Sequence, residues 1–140
     1  MKRVVIDTNC LVQMLPKRSQ YHLAWEAFRK ELFELCLSND ILMEYSEILS
    51  KLASPIVSEN VVLAIMHSPN ALLFDPKFKF ELITADVDDN KFVDCAIIAN
   101  ATYIVSNYAH FNELKKLPKE LQIDVLRLDE FLEDVKRLVK

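Results

Sequence analysis

The chain has 140 residues, of which 51% are hydrophobic and 27% charged, with a net charge of −4 and no glycine. That size and balance suit one compact globular domain, spanning 1–140, that buries about two thirds of its unfolded surface. The acidic balance speaks against a broad basic nucleic-acid surface, the missing glycines exclude P-loops and dinucleotide fingerprints, and no apolar run approaches the roughly 20 residues of a membrane helix.

Met1-Lys2-Arg3 is followed by only three apolar residues, Val4-Val5-Ile6. That is too short for the apolar core of a signal peptide, so the chain reads as cytoplasmic. Cys10, Cys36 and Cys95 are odd in number and unclustered. They read as buried reduced thiols rather than a disulfide framework or a zinc site.

In chain order, Val4-Val5-Ile6 predicts a first buried strand that ends at Asp7. Pro16 to Ser19 is a loop, and Tyr21, Ala24, Trp25, Phe28 and Leu32 recur at helical spacing. Phe33 to Leu37 predicts a second strand. Ser38-Asn39-Asp40 offers caps for a helix carrying Ile41, Glu44, Tyr45, Ile48, Leu49 and Leu52. Ser54-Pro55 suits a cap followed by proline at the first helical position, and that helix runs to about Ser68. Ala71 to Phe74 and Phe78 to Ile83 are extended candidates. The acidic run Asp86-Val87-Asp88-Asp89 is placed to cap a helix starting near Asn90 and carrying Phe92, Val93 and Ala96. Tyr103-Ile104-Val105 is a further strand, Asn107 to Leu114 a loop or short helix, and Ile123 to Leu128 the last strand. Asp129 is expected to cap a final helix. Strands alternating with helices predict an α/β domain with a parallel sheet covered on both faces.

In open α/β sheets ligands bind beyond the carboxyl ends of the strands. Asp7 stands at such an end, with Thr8 and Asn9 able to position a water or a phosphate. Glu44 lies inside the helix after the second strand, and Asp94 sits one turn after Asn90 on the same helix face. Carboxylates within apolar helical stretches are costly unless paired, hydrogen-bonded or metal-bound. Three such acids on separate elements point to a shared hard cation.

The segments Val4-Val5-Ile6-Asp7-Thr8-Asn9, Glu44-Tyr45 and Asp86-Val87-Asp88-Asp89-Asn90-Lys91-Phe92-Val93-Asp94-Cys95-Ala96 resemble the PIN domain, in particular the branch of toxin-antitoxin toxins. The likeness covers nearly the whole chain in the right order, and the Asp-Asp-Asn-Lys-Phe-x-Asp-x-Ala string is its most specific part. It implies a three-layer α/β/α fold with a parallel, five-stranded sheet. It also implies Mg²⁺- or Mn²⁺-dependent cleavage of single-stranded RNA, homodimers and an antitoxin partner. Asp7, Glu44 and Asp94 match three site acids of the family. Thr8, Asn9, Asp89, Asn90, Lys91 and Asn107 are auxiliary candidates, Lys91 for holding charge in the transition state. In one respect the chain departs from the family. After the strand that ends at Val105, the family has a small residue, glycine and aspartate, whereas this chain has Ser106-Asn107-Tyr108. The fourth acid is thus replaced by Tyr108, and Asn107 offers only a neutral amide oxygen.

Plainer readings stand beside these. Glu44 can be a helix-surface residue paired to Lys51, Asp94 a rim acid paired to Lys91, Asp88 and Asp89 caps, and Tyr108 a packed aromatic. Lys17-Arg18, Lys77 with Lys79, and Lys115-Lys116 are solvated surface or a track for phosphates. Two other functions compete with the nuclease. One is a catalytically degenerate domain serving as an RNA-binding or protein-interaction module. The other is a phosphatase or receiver-like domain using Asp7, which lacks a second Asp two residues after Asp7.

Overall fold

The computed structural model describes residues 1–75, 89–108, 111, 114 and 122–140. The extended candidate Phe78–Ile83, the acids Asp86 and Asp88, and the lysines Lys77, Lys79, Lys115 and Lys116 lie outside the described residues.

Five strands form one parallel sheet: β1 (Arg3–Ile6), β2 (Glu34–Leu37), β3 (Ala71–Leu73), β4 (Tyr103–Val105) and β5 (Val125–Leu126). Their order is β3-β2-β1-β4-β5, so β1 is central. Val4, Val5 and Ile6 pair in register with Tyr103, Ile104 and Val105. Successive strand residues point to opposite faces, and Val4, Val5 and Ile6 are all buried, so both faces of the sheet are covered. This is why β1 reads as a continuous apolar run rather than an alternating one.

Among the described residues the α-helices are α1 (Thr8–Met14), α2 (His22–Arg29), α3 (Asn39–Leu52), α4 (Pro55–Met66), α5 (Asn90–Ala99) and α6 (Leu128–Val139). Ser38 caps α3 by accepting the Ile41 N–H, and Ser54 caps α4 by accepting the Val57 N–H, with Pro55 at the first helical position. Both caps match the sequence reading. The short α1 was not anticipated. Its seven residues, Thr-Asn-Cys-Leu-Val-Gln-Met, contain several weak helix formers and span only two turns, too little for a periodic signal.

Helix α2 packs against α6. An aromatic chain runs Trp25–Phe28–Phe33–Phe131–Tyr103, with centroid separations of 5.3, 6.1, 5.4 and 5.9 Å. The final helix therefore packs on its own sheet. Two details of its start differ from the sequence reading. Strand β5 is only Val125–Leu126, because Leu128 already belongs to α6. The N-cap is Arg127, not Asp129. Glu130 reaches back to accept the Arg127 N–H (2.9 Å), and Asn107 Oδ1 accepts the Leu128 N–H (3.0 Å). Asp129 instead accepts the Tyr21 hydroxyl (2.6 Å). Helix α5 closes on Asn100, which adopts the left-handed conformation at φ 51°.

Candidate functional site

The sheet order reverses beside β1, since the chain runs outward through β2 and β3 and then returns to place β4 on the other side. Such a switch point opens a crevice at the carboxyl ends of the two strands. Asp7 directly follows β1 and Ser106 directly follows β4. The Asp7 N–H donates to the Val105 carbonyl (3.0 Å), extending the ladder by one bond. The Asp7 side chain then caps α1. Its Oδ1 accepts the Cys10 N–H (2.8 Å) and its Oδ2 accepts the Ser106 hydroxyl (2.5 Å). Asp7 is 1% exposed. Burial pushes its carboxyl above the usual range. The bonds from Ser106 and Cys10 oppose that rise, and the nearby Glu44 charge adds to it.

Asp7 shares a cavity of about 200 Å³ with Thr8, Asn9, Glu44, Ile48, Asp89, Phe92 and Tyr108. Glu44 enters it from α3. One of its oxygens accepts the Thr8 hydroxyl, and the other takes Lys91 Nζ from α5 at 2.6 Å. The reading that paired Glu44 with Lys51 is therefore replaced, because Lys51 pairs with Glu47 one turn away. Likewise, Lys91 pairs with Glu44, which displaces the reading that set it against Asp94. Behind this wall the buried Tyr45 hydroxyl donates to the Ile6 carbonyl, fixing α3 to the end of β1.

Of the sequence-derived candidates, Asp7, Thr8, Asn9, Glu44 and Asp89 line one cavity. Asp89 occupies the N-cap position of α5, but its side chain makes no capping bond to that helix. Asp94 and Asn90 are buried on α5, at 6% and 7% exposure, and are not among the cavity's lining residues. Asn107 is turned to α6 through its bond to Leu128. Tyr108 is no packed core aromatic. It is 39% exposed and lines the cavity, and its N–H donates to Ser106 Oγ (3.1 Å). Ser106 was missed as a functional residue, although it organises both Asp7 and Tyr108. Its only sequence signal is a small polar residue directly after a buried strand.

The donors are all oxygen atoms, which suits Mg²⁺ or Mn²⁺ in kind. Among the described residues, however, no three His, Cys, Asp or Glu side chains already stand close enough together to hold an ion. Glu44 is engaged by Lys91, so an ion taking that carboxylate would share it or compete with the ammonium.

A central parallel strand thus ends in a buried aspartate, faced by a helix-borne glutamate across a switch point of an α/β domain. The PIN domain family profile matches residues 3–108, and the chain belongs to that family, whose members are in general nucleases. Among solved structures, the chain is similar to a chain of "VapBC2 from Rickettsia felis bound to a DNA fragment from their promoter". The TM-score is 0.61 at 18% identity, covering 89% of this chain and 98% of that one. No curated protein matches the sequence. None of the helices among the described residues is long and apolar enough to cross a membrane.

Proposed function

We propose that this chain is a metal-dependent endoribonuclease that cleaves single-stranded RNA as the toxin of a toxin-antitoxin pair. It would act in the cytoplasm as a homodimer held in check by an antitoxin protein. The observation that carries the reading is Asp7, buried and oriented at the switch point and sharing a cavity with Glu44. The family's general nuclease activity supports it. So does the fold likeness to a chain of the VapBC2 complex.

Asp7 and Glu44 would hold Mg²⁺ or Mn²⁺, with Asp94 completing the acids on α5 and Asp89 at the cavity wall as an auxiliary. A bound ion would polarise the scissile phosphate and lower the pKa of the attacking water. The chain's own groups set the geometry. Ser106 and the Cys10 amide fix the rotamer of Asp7, so that its carboxylate cannot swing toward solvent. Thr8 fixes one oxygen of Glu44. The half-exposed ring of Tyr108 offers a face on which an unpaired base can stack.

The test is cleavage of a mixed single-stranded RNA by the purified chain with Mn²⁺ or Mg²⁺, beside Asp7→Asn. Asparagine keeps an acceptor for Cys10 but removes the charge, and the rate is expected to fall by at least about 100-fold. Unchanged cleavage by the variant would sink the reading. Tyr108 in the place of the family's fourth acid favours a second reading, a degenerate domain that binds RNA or a protein partner without turnover. Tight RNA binding with no cleavage in any divalent metal would select it.

A further inference from the structure

Lys91 stands in an unusual position for a surface lysine. Its ammonium is 2.6 Å from Glu44 Oε1, and the two side chains are only 22% and 24% exposed. The other Glu44 oxygen is taken by the Thr8 hydroxyl, so both of its acceptor oxygens are engaged. Lys91 belongs to α5 and Glu44 to α3, so the ammonium reaches, from the neighbouring helix, a carboxylate that lines the cavity holding Asp7. The other described α3 carboxylate–lysine pair, Glu47–Lys51, lies within one helix and is about two thirds exposed on both sides. That pair has the geometry of ordinary surface decoration. The Glu44–Lys91 pair bridges two elements beside a carboxylate site, where an ammonium supplies the positive charge that a cation would otherwise supply.

We propose that Lys91 is the resident counter-cation of this site: it holds Glu44 until a divalent cation takes that carboxylate, and so sets the metal concentration at which the site loads. This rests on the metal-nuclease reading and adds to it a built-in competitor. Lys91 is thereby a positioning residue, acting through Glu44. Competition follows from charge and contact together. A divalent ion reaching Glu44 competes with a short charge-assisted bond for the electron density of the same oxygen, and it must approach an ammonium of like sign. Once displaced, the ammonium remains next to the cavity, where a phosphate would be its next partner.

The experiment is calorimetric titration of Mn²⁺ into the purified full chain without RNA. It compares the wild type with Lys91→Met, Lys91→Arg and Lys51→Met. Methionine keeps the aliphatic stem and removes the charge, and the expected result is roughly tenfold tighter Mn²⁺ binding, equivalent to about 1.4 kcal/mol. Lys91→Arg, which restores a cation at Glu44, should bind like wild type. Lys51→Met, which removes an equal charge elsewhere on the surface, should also bind like wild type. Equal affinities for wild type and Lys91→Met would overturn the proposal while leaving the metal site intact. Equal tightening by Lys51→Met would also overturn it, since the effect would then be bulk charge. Absence of Mn²⁺ binding in every form would bring down the metal reading itself, and this proposal with it. Should Lys91→Met fail to fold, acetylation of Lys91 in the wild type, followed by mass spectrometry, decides the matter. Several-fold faster modification in Mn²⁺ than in its absence supports displacement, and an unchanged rate overturns it.

Discussion

The two ends of the sheet hold two buried aspartates whose fates diverge. At the carboxyl end, Asp7 accepts hydrogen bonds from the Ser106 hydroxyl and the Cys10 amide, both neutral groups. At the amino end, Asp134 of α6 accepts Lys2 Nζ at 2.9 and 2.7 Å and the Tyr103 hydroxyl at 2.6 Å, with Arg137 at 3.7 Å. Burial raises the pKa of both. At Asp134 the Lys2 and Tyr103 bonds outweigh burial and its carboxyl falls below the usual range, whereas at Asp7 burial wins and its carboxyl lies above it. For these two aspartates the difference lies in the charge of the partner. Asp134, supplied with its own cation, is a clasp between Lys2 just before β1, Tyr103 of β4 and α6. At Asp7 the chain supplies only dipoles, so the acid is stabilised less than its burial costs, and a ligand of positive charge would find it ready.

The largest expected effect is on turnover. Asp7→Asn should slow metal-dependent RNA cleavage by at least about 100-fold, whereas Asp134→Asn should leave the rate per folded molecule unchanged. If both variants lost activity equally, the division between the two ends would collapse. Next in size is stability at neutral pH, read from urea melts. Asp134→Asn weakens two charge-assisted bonds and should cost about 1–2 kcal/mol. Lys2→Met removes a partner that is 41% exposed, so it should cost under about 1 kcal/mol and lose its effect in high salt.

The pH dependence sharpens the contrast because the two shifts have opposite sign. The lowered folded pKa of Asp134 contributes stability above the unfolded value of about 4, and that contribution is lost as pH falls through the folded value. The raised folded pKa of Asp7 contributes stability below about 4, and that contribution is lost as pH rises through the folded value. Without divalent metal, Asp7→Asn should therefore melt slightly higher than wild type at pH 7, and its advantage should shrink in acid. Asp134→Asn should show the reverse. A Tm series from pH 3 to pH 8 reads both. The same Asp7→Asn gain should vanish or invert when Mn²⁺ is saturating, because only the wild type is stabilised by the ion.

Much of this arrangement was legible before any fold was known. An acid closing an apolar triplet, a glutamate inside a capped helix and the Asp-Asp-Asn-Lys-Phe-x-Asp string marked Asp7, Glu44 and Asp94 as candidates with Asp89 and Lys91 as auxiliaries; Asp7, Glu44 and Asp89 line one cavity and Lys91 reaches Glu44, whereas Asp94 is not among the lining residues. What could not be read was pairing across long separations. Ser106 meets Asp7 99 residues away, Lys91 meets Glu44 47 residues away, and Asp134 meets Lys2 132 residues away. Each meeting is made by strand order, which periodicity does not encode. The start of α6 differs from the sequence reading for a reason that is partly long-range. Asp129 is a good cap by type, but Tyr21 engages it from another element, and Glu130 satisfies the backbone of Arg127 instead.

Asn100 ends α5 in the left-handed region at φ 51°, and Glu31 stands at φ 62°, both without glycine. Left-handed backbone costs an L-residue about 1–2 kcal/mol, less for asparagine. The consequence lies in the unfolded chain. Every residue of this sequence carries a Cβ, so its denatured ensemble has fewer backbone states than that of a glycine-containing chain of equal length. Folding then surrenders less entropy, and a little local strain at two turns is set against a narrower disordered state along all 140 residues.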